Sequence, residues 1–142
     1  MTPMASISKA MYDWYKGDQA AGTVYTLTGG RWYHTTAPEN PTFPYIVCDL
    51  ISGTVEKVYA SSHKWIERQR VQCTIISDET HDATEAMQIL DALRTRFDDA
   101  VLTFSGSDYV TMRCHRSMPA GPFAVDGRMM ATQDYIVSCH EV

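Results

Sequence analysis

The sequence predicts an α+β fold: an antiparallel β-sheet with one short N-terminal helix and one longer central helix packed on it. Three observations carry this. Two segments show apolar residues at helical spacing. The remaining apolar segments are short, rich in alternation and separated by turn residues. Those strands fall in hairpin-like groups and do not alternate one-for-one with helices, which excludes a parallel doubly wound sheet. The expected order is α, β, β, β, β, α, β, β, β.

The first helix spans about Pro3 to Lys16. Met4, Ile7, Met11 and Trp14 form one stripe, with Ala10 and Tyr15 beside it. Thr2 suits the N-cap, Pro3 the first turn and Gly17 the end. Residues 17 to 44 are punctuated by Gly17, Gly22, Gly29, Gly30, Pro38, Pro41 and Pro44, and read as connecting structure around one short strand at Arg31 to Thr35. Such long ordered connections are often contact surfaces.

Tyr45 to Ser52 is a near-continuous apolar run, as in a strand buried on both faces. Val55 to Ala60 follows as a separate strand after a turn at Gly53. Glu67 to Ser77 places Val71, Cys73 and Ile75 on one face, with Gln72 and Thr74 on the other. With Ser61-Ser62-His63-Lys64 as a second turn, the three form an expected meander.

The central helix runs from about Asp82 to Asp98, opened by a D-x-x-E capping pattern in Asp82 and Glu85. Ala86, Leu90, Leu93 and Phe97 make its apolar stripe. Val101 to Phe104 is a short strand, turned by Ser105-Gly106-Ser107-Asp108. Tyr109 to Arg116 alternates, Pro119 to Asp126 reads as a loop, and Met130 to Glu141 is the last strand. No repeat or linker divides the chain, so residues 1–142 are expected to form one domain.

Chemistry is sparse. The four cysteines, Cys48, Cys73, Cys114 and Cys139, lack the close pairs of zinc sites, and each lies in an apolar segment where a reduced thiol acts as a small hydrophobe. The histidines His34, His63, His81, His115 and His140 have no H-x-x-x-H spacing. Phe104-Ser105-Gly106-Ser107 is not a nucleophile elbow, and Gly29-Gly30-Arg31 is not a P-loop. Asp78, Glu79 and Asp82 read as an acidic helix start. Asp49 interrupts an apolar strand and needs a partner, for which an Arg or Lys on a neighbouring strand, such as Arg70, is the candidate. No catalytic, cofactor or metal residue is assigned.

With 12 basic and 17 acidic residues the formal charge is −5, which argues against non-specific binding to nucleic acid or an anionic membrane. At 44% hydrophobic and 20% charged residues the composition is that of a folded domain. No apolar run approaches the ~18 residues that span a bilayer. The first residues carry no apolar signal region, as expected of a chain made in a cytosol. Lys57, Lys64, Arg68 and Arg70 interleave with Tyr59 and Trp65, which suits a protein contact at a hairpin tip.

The middle of the chain resembles a known family. Gly29-Gly30-Arg31-Trp32-Tyr33, Ala37-Pro38, Pro44-Tyr45-Ile46-Val47 and Ile51-Ser52-Gly53, in that order and spacing, are similar to the tail-terminator, or tail-completion, proteins of tailed bacteriophages. The strand Arg70 to Ser77, the helix with Ala86, Leu90 and Leu93, and the closing segment Gly127 to Val137 extend the resemblance over about residues 4 to 140. Gln133 and Asp49 depart from the family's apolar pattern. The resemblance implies a structural virion protein with no enzymatic activity and no cofactor. Such proteins cap the head-proximal end of the tail tube as a closed ring of about six subunits. The ring stops tube polymerisation and presents a docking surface to the head-side connector or stopper. The implied partners are other copies of the chain, the tail tube protein and that connector. DNA passes through without specific binding. Assembly takes place in the host cytoplasm. The residues assigned to interfaces are Lys57, Tyr59, His63, Lys64 and Trp65 in the hairpin, and Phe123 and Arg128 further on. Two other readings compete. One is a different neck component such as a stopper. The other is a small cytosolic ligand-binding or enzyme domain, with Asp49, His115 and His140 as its polar groups.

Overall fold

The computed structural model describes residues 4–57, 65–78, 83–102 and 109–141. The N-terminal helix α1 covers Met4–Lys16, and a single-turn helix α2 covers Val24–Leu27. Strands β1 (Trp32–His34), β2 (Tyr45–Lys57) and β3 (Trp65–Ser77) precede the central helix α3 (Thr84–Phe97). Strands β4 (Val101–Leu102), β5 (Tyr109–Val125) and β6 (Arg128–Glu141) close the chain. They form one six-stranded sheet in the order β1-β2-β3-β6-β5-β4. All neighbours are antiparallel except β1, which runs parallel to β2. The expected α+β class holds, with an antiparallel sheet, a short first helix and a longer α3.

The register sorts side chains to two faces. Val71 lies opposite Tyr135, Cys73 opposite Gln133 and Ile75 opposite Ala131. These residues are all buried, and with Ile46, Cys48, Leu93 and Phe97 they form the layer between sheet and helices. Among the described side chains of α1 the buried ones are Ile7, Ala10, Met11 and Tyr15, while Trp14 sits half-buried at the rim. Tyr15 is therefore at the centre of the stripe that the sequence placed it beside. Rings run through this core in sequence: Tyr15 lies 4.7 Å from Trp32, Trp32 stacks 5.7 Å from Phe97, and Phe97 lies 6.0 Å from Tyr135. Offset and tilted pairs of this kind add stability beyond their buried area. No described helix packs on the opposite face, which carries Asp49, Arg70, Gln72, Thr74, Thr132 and Asp134 by register.

Several expectations need correction. Gly53 does not turn the chain. It pairs with Gln69 inside β2, so the two expected strands are one, with a register shift between Leu50 and Ser52 that takes up one extra residue. Residues 119–125 are not a loop, because β5 continues to Val125 through register shifts at Arg116/Pro119 and Ala120/Phe123. α3 starts at Thr84 with Ala83 as N-cap and no capping side chain. Glu85 accepts a hydrogen bond from the Ser77 hydroxyl at 3.0 Å instead, while Asp82 lies outside the described residues. Arg70 does not serve Asp49. It pairs with Asp134 on β6, donating from Nε at 2.9 Å. Asp49 is half-buried opposite Gln72. The expected turns at Ser61–Lys64 and Ser105–Asp108 lie outside the described residues.

Cys48, Cys73 and Cys114 are buried, as the apolar setting predicts. Cys48 and Cys73 face each other across β2 and β3. The Cys48 contact and burial push the Cys73 thiol well above its ordinary value. Gln133, the polar residue at an apolar position, is fully buried and satisfied. Its Oε1 accepts from Arg94 Nε at 3.0 Å, and its Nε2 donates to the Asp134 carbonyl at 3.0 Å.

Candidate interface

The β5–β6 turn is Asp126–Gly127, with φ of 47° and 75°. Two positive φ values in a two-residue loop are those of a type I′ turn, which matches the twist of the strands it joins. The turn closes on the pair Val125–Arg128. Period-two alternation then puts Phe123 and Val125 on the face of β5 that meets Arg128 and Met130 of β6. Phe123 is 40% exposed and Val125 38%.

Arg128 does not float in solvent. Its guanidinium lies 4.3 Å from the ring centre of Phe43, and its Nη1 lies 3.5 Å from Asp78 Oδ1. Phe43 in turn packs 5.3 Å from Tyr45, and Tyr45 meets Tyr33 edge-on at 5.8 Å. Burial raises the Tyr45 hydroxyl's pKa, and the Arg128 cation pulls it part of the way back. The segment 35–44 that carries Phe43 is held by Arg31: Nε donates to the Pro44 carbonyl at 2.8 Å and Nη2 to the Phe43 carbonyl at 3.2 Å. Arg31 follows Gly29 and Gly30, whose φ values of 61° and 76° are those that glycine adopts without strain. A side chain at Gly30 would meet the Tyr25 ring at 3.0 Å. The Gly-Gly-Arg sequence is thus a bracket for the aromatic segment. Arginine and aromatic residues gathered on one partly exposed patch have the composition of interface cores.

The sequence-assigned residues that are described fall at opposite ends of the sheet. Phe123 and Arg128 lie on one face at the β5–β6 end. Lys57 and Trp65 are register partners at the far end of β2 and β3, where only their backbone is described. Tyr59, His63 and Lys64 lie outside the described residues. Phe43, Tyr45 and Tyr33 were not assigned from the sequence. Asp126-Gly127 between two strand segments is the signal that would have located the turn and its neighbours.

The polar groups of the enzyme reading do not share a place on the sheet. Asp49 is level with Gln72 and His140 with Ile66, which is about 20 Å along β3. His115 is level with Ile136 on the β5 side. Among the described residues no group of three or more His, Cys, Asp or Glu side chains is placed to hold a metal ion. No described helix is long and apolar enough to cross a membrane.

A cleft of about 420 Å³ opens in the helix layer, bounded by Trp14, Ala21, Gly22, Ala92 and Ala100 and carrying Asp18, Arg96 and Asp98. Arg96 is held flat on Trp14, 3.9 Å from its ring centre. Asp98 accepts a hydrogen bond from Tyr135 at 3.0 Å.

A family model described as "Tail completion protein gp17" matches residues 9–118. A chain of a solved structure titled "Virion of native gene transfer agent (GTA) particle" is similar over 96% of this chain and 95% of that one, with a TM-score of 0.69 at 14% identity. A second solved chain is similar over 97% of this chain and 92% of its own, with a TM-score of 0.62 at 15% identity. At such identities these two likenesses establish the fold. No curated protein matches the sequence. The family match defines a structural protein of the phage tail. The chain belongs to the family of tail completion protein gp17.

Proposed function

We propose that this protein, acting as one domain over residues 1–142, caps the head-proximal end of the tail tube as a closed ring of about six copies. The ring stops tube polymerisation and offers its other side to the head-side connector. The observation that carries this reading is the family match over residues 9–118. The Phe43–Arg128 patch supports it, since an ordered, partly exposed cluster of aromatic rings and arginine suits a permanent protein contact. The residues Lys57, Tyr59, His63, Lys64 and Trp65 serve a second contact. A formal charge of −5 suits a ring through which DNA must slide without being held. The role needs no bond to be made or broken, so no catalytic group is assigned.

The test is to add the purified chain to growing tail tubes and image them by electron microscopy. Tubes of fixed length with a collar at one end are expected. Tubes that lengthen as if the chain were absent would overturn the reading. Recovery of the chain on tail-less heads would assign it to a head-side stopper instead.

A further inference from the structure

The ring reading leaves open which surfaces meet between copies. We propose that the Phe123–Arg128 end of the β5–β6 hairpin seats in the helix-layer cleft of a second copy of this chain, with Arg128 facing Asp18. This inference rests on the ring reading and specifies its subunit contact.

The two surfaces are complementary in kind. The hairpin offers apolar groups, Phe123 and Val125, at 40% and 38% exposure, beside a cation whose side chain is 43% exposed. The cleft is bounded by the Trp14 ring and by Ala21, Gly22, Ala92 and Ala100, whose small side chains leave room for a ring to enter. At Gly22 an added Cβ would meet nothing within 4 Å, so the wall is open there. Asp18 and Asp98 give the cleft two carboxylates. Its one arginine, Arg96, already lies against Trp14 and donates to the Trp14 carbonyl.

Charge decides the pairing. In a chain with a formal charge of −5, copies repel unless a cation of one meets an acid of the next. Arg128 is pre-positioned by Phe43, and its own-chain ion pair, at 3.5 Å to a carboxylate that is 68% exposed, is a weak surface pair that a partner's acid can replace.

Geometry decides the symmetry. The patch lies on the sheet face away from the helices, and the cleft lies in the helix layer, so one chain cannot satisfy both. The contact is heterologous, and a heterologous contact closes into a ring when its rotation divides the circle.

The experiment measures the mass of the full chain by light scattering over a concentration series. It compares the native chain with Arg128→Glu, Asp18→Arg, the double charge reversal and Phe123→Ala, with circular dichroism confirming that each is folded. The native chain is expected to assemble. Each single charge reversal should raise the concentration for half-assembly about tenfold or more, Phe123→Ala should weaken assembly, and the double reversal should restore it. A native assembly that is indifferent to the single reversals, or a double reversal that fails to recover, overturns this contact while the ring reading stands. A native chain that stays monomeric in solution and on tube ends overturns the ring reading and the contact with it.

Discussion

Trp14 and Arg96 hold each other from both sides, although 82 residues separate them. The guanidinium lies 3.9 Å from the indole ring centre, Trp14 Nε1 donates to the Arg96 carbonyl at 2.7 Å, and Arg96 Nε and Nη2 donate to the Trp14 carbonyl at 2.9 and 2.7 Å. This clasp fastens the end of α1 to the end of α3 and forms one wall of the cleft. Arg96→Ala removes the cation–π contact and two charge-assisted hydrogen bonds, at a cost of about 2 kcal/mol. Arg96→Lys keeps the charge and loses the fork, and should cost about half of that. Urea unfolding curves of the two variants measure both.

The buried tyrosines set an alkaline limit. Burial pushes the Tyr15 hydroxyl up to about 12, against an ordinary 10.0, with the Thr28 hydrogen bond partly offsetting it. Burial first, and then the Asp98 carboxylate, raises Tyr135 further still. Between the two values the unfolded chain has released protons that the folded chain retains. Stability is therefore fully present below the ordinary 10.0 and falls as pH rises through that window. The raised Cys73 thiol, ordinarily 9.0, starts the decline earlier. The melting temperature should stay level up to about pH 8 and drop steadily above about pH 9. Thermal melts followed by circular dichroism across that range give the answer, and a level profile to about pH 11 would contradict the burial argument.

How much of this was legible in the sequence depends on the range of the interaction. The helices α1 and α3 were legible because their apolar spacing is local, as was the alternation of Val71, Cys73 and Ile75 in β3. Gly53 misled because a glycine within a strand and a glycine in a turn look alike until the partner, Gln69, is known. Pro119 and Pro122 misled in the same way, since β5 absorbs them at its register shifts. The partner of Arg70 was beyond local reading. β3 lies between β2 and β6, each of which carries an acid on the same face, and only the strand order and side-chain placement select Asp134 over Asp49. Of the residues in this patch, Phe123 and Arg128 were named from the sequence, but Phe43 was not. Its position comes from Arg31 gripping two carbonyls over ten residues away.

That grip is testable. Without the Arg31 donors, the carbonyls of Phe43 and Pro44 lose their hydrogen bonds and the segment 35–44 loses its anchor. Arg31→Ala should cost about 2 kcal/mol, since hydrogen bonds from a charged donor are the stronger ones. It should also loosen the segment more than the sheet. Glu39 lies within that segment, so a glutamate-specific protease should cut after it faster in Arg31→Ala than in the native chain. Equal cutting rates would mean that the segment is held by other contacts.

Removing Arg70 should be felt at Asp134, whose side chain is only 6% exposed. Arg70→Ala leaves that carboxylate with one fewer charge-assisted partner in a nearly dry place. A loss of about 2 to 3 kcal/mol is expected, moderated because Arg70 itself is half-exposed. The double variant Arg70→Ala with Asp134→Asn removes the stranded charge and should recover part of the loss. Chemical denaturation of the three variants tests this, and a double variant no more stable than the single would show that the Asp134 charge is not what the loss reflects.

Two glycines with similar backbone angles should respond differently to the same substitution. Gly121 has φ of 88° and Gly127 has φ of 75°, so alanine is strained at both. At Gly127 an added Cβ meets nothing within 4 Å, and only the backbone strain of about 1 kcal/mol applies. At Gly121 the Cβ would stand 2.8 Å from the Met130 carbonyl oxygen and 2.7 Å from the Phe123 ring. The ring can turn away, but the carbonyl belongs to the neighbouring strand and cannot. Gly121→Ala should therefore cost about 2 kcal/mol more than Gly127→Ala and displace Phe123 from the patch. If the contact between copies uses Phe123, Gly121→Ala should weaken assembly even at temperatures where it remains folded, while Gly127→Ala should leave Phe123 in place. Denaturation curves rank the stabilities of the two variants, and light scattering at one concentration separates their assembly. Equal losses in both measurements would mean that β5 yields at Gly121 and that the crowding there carries no energy.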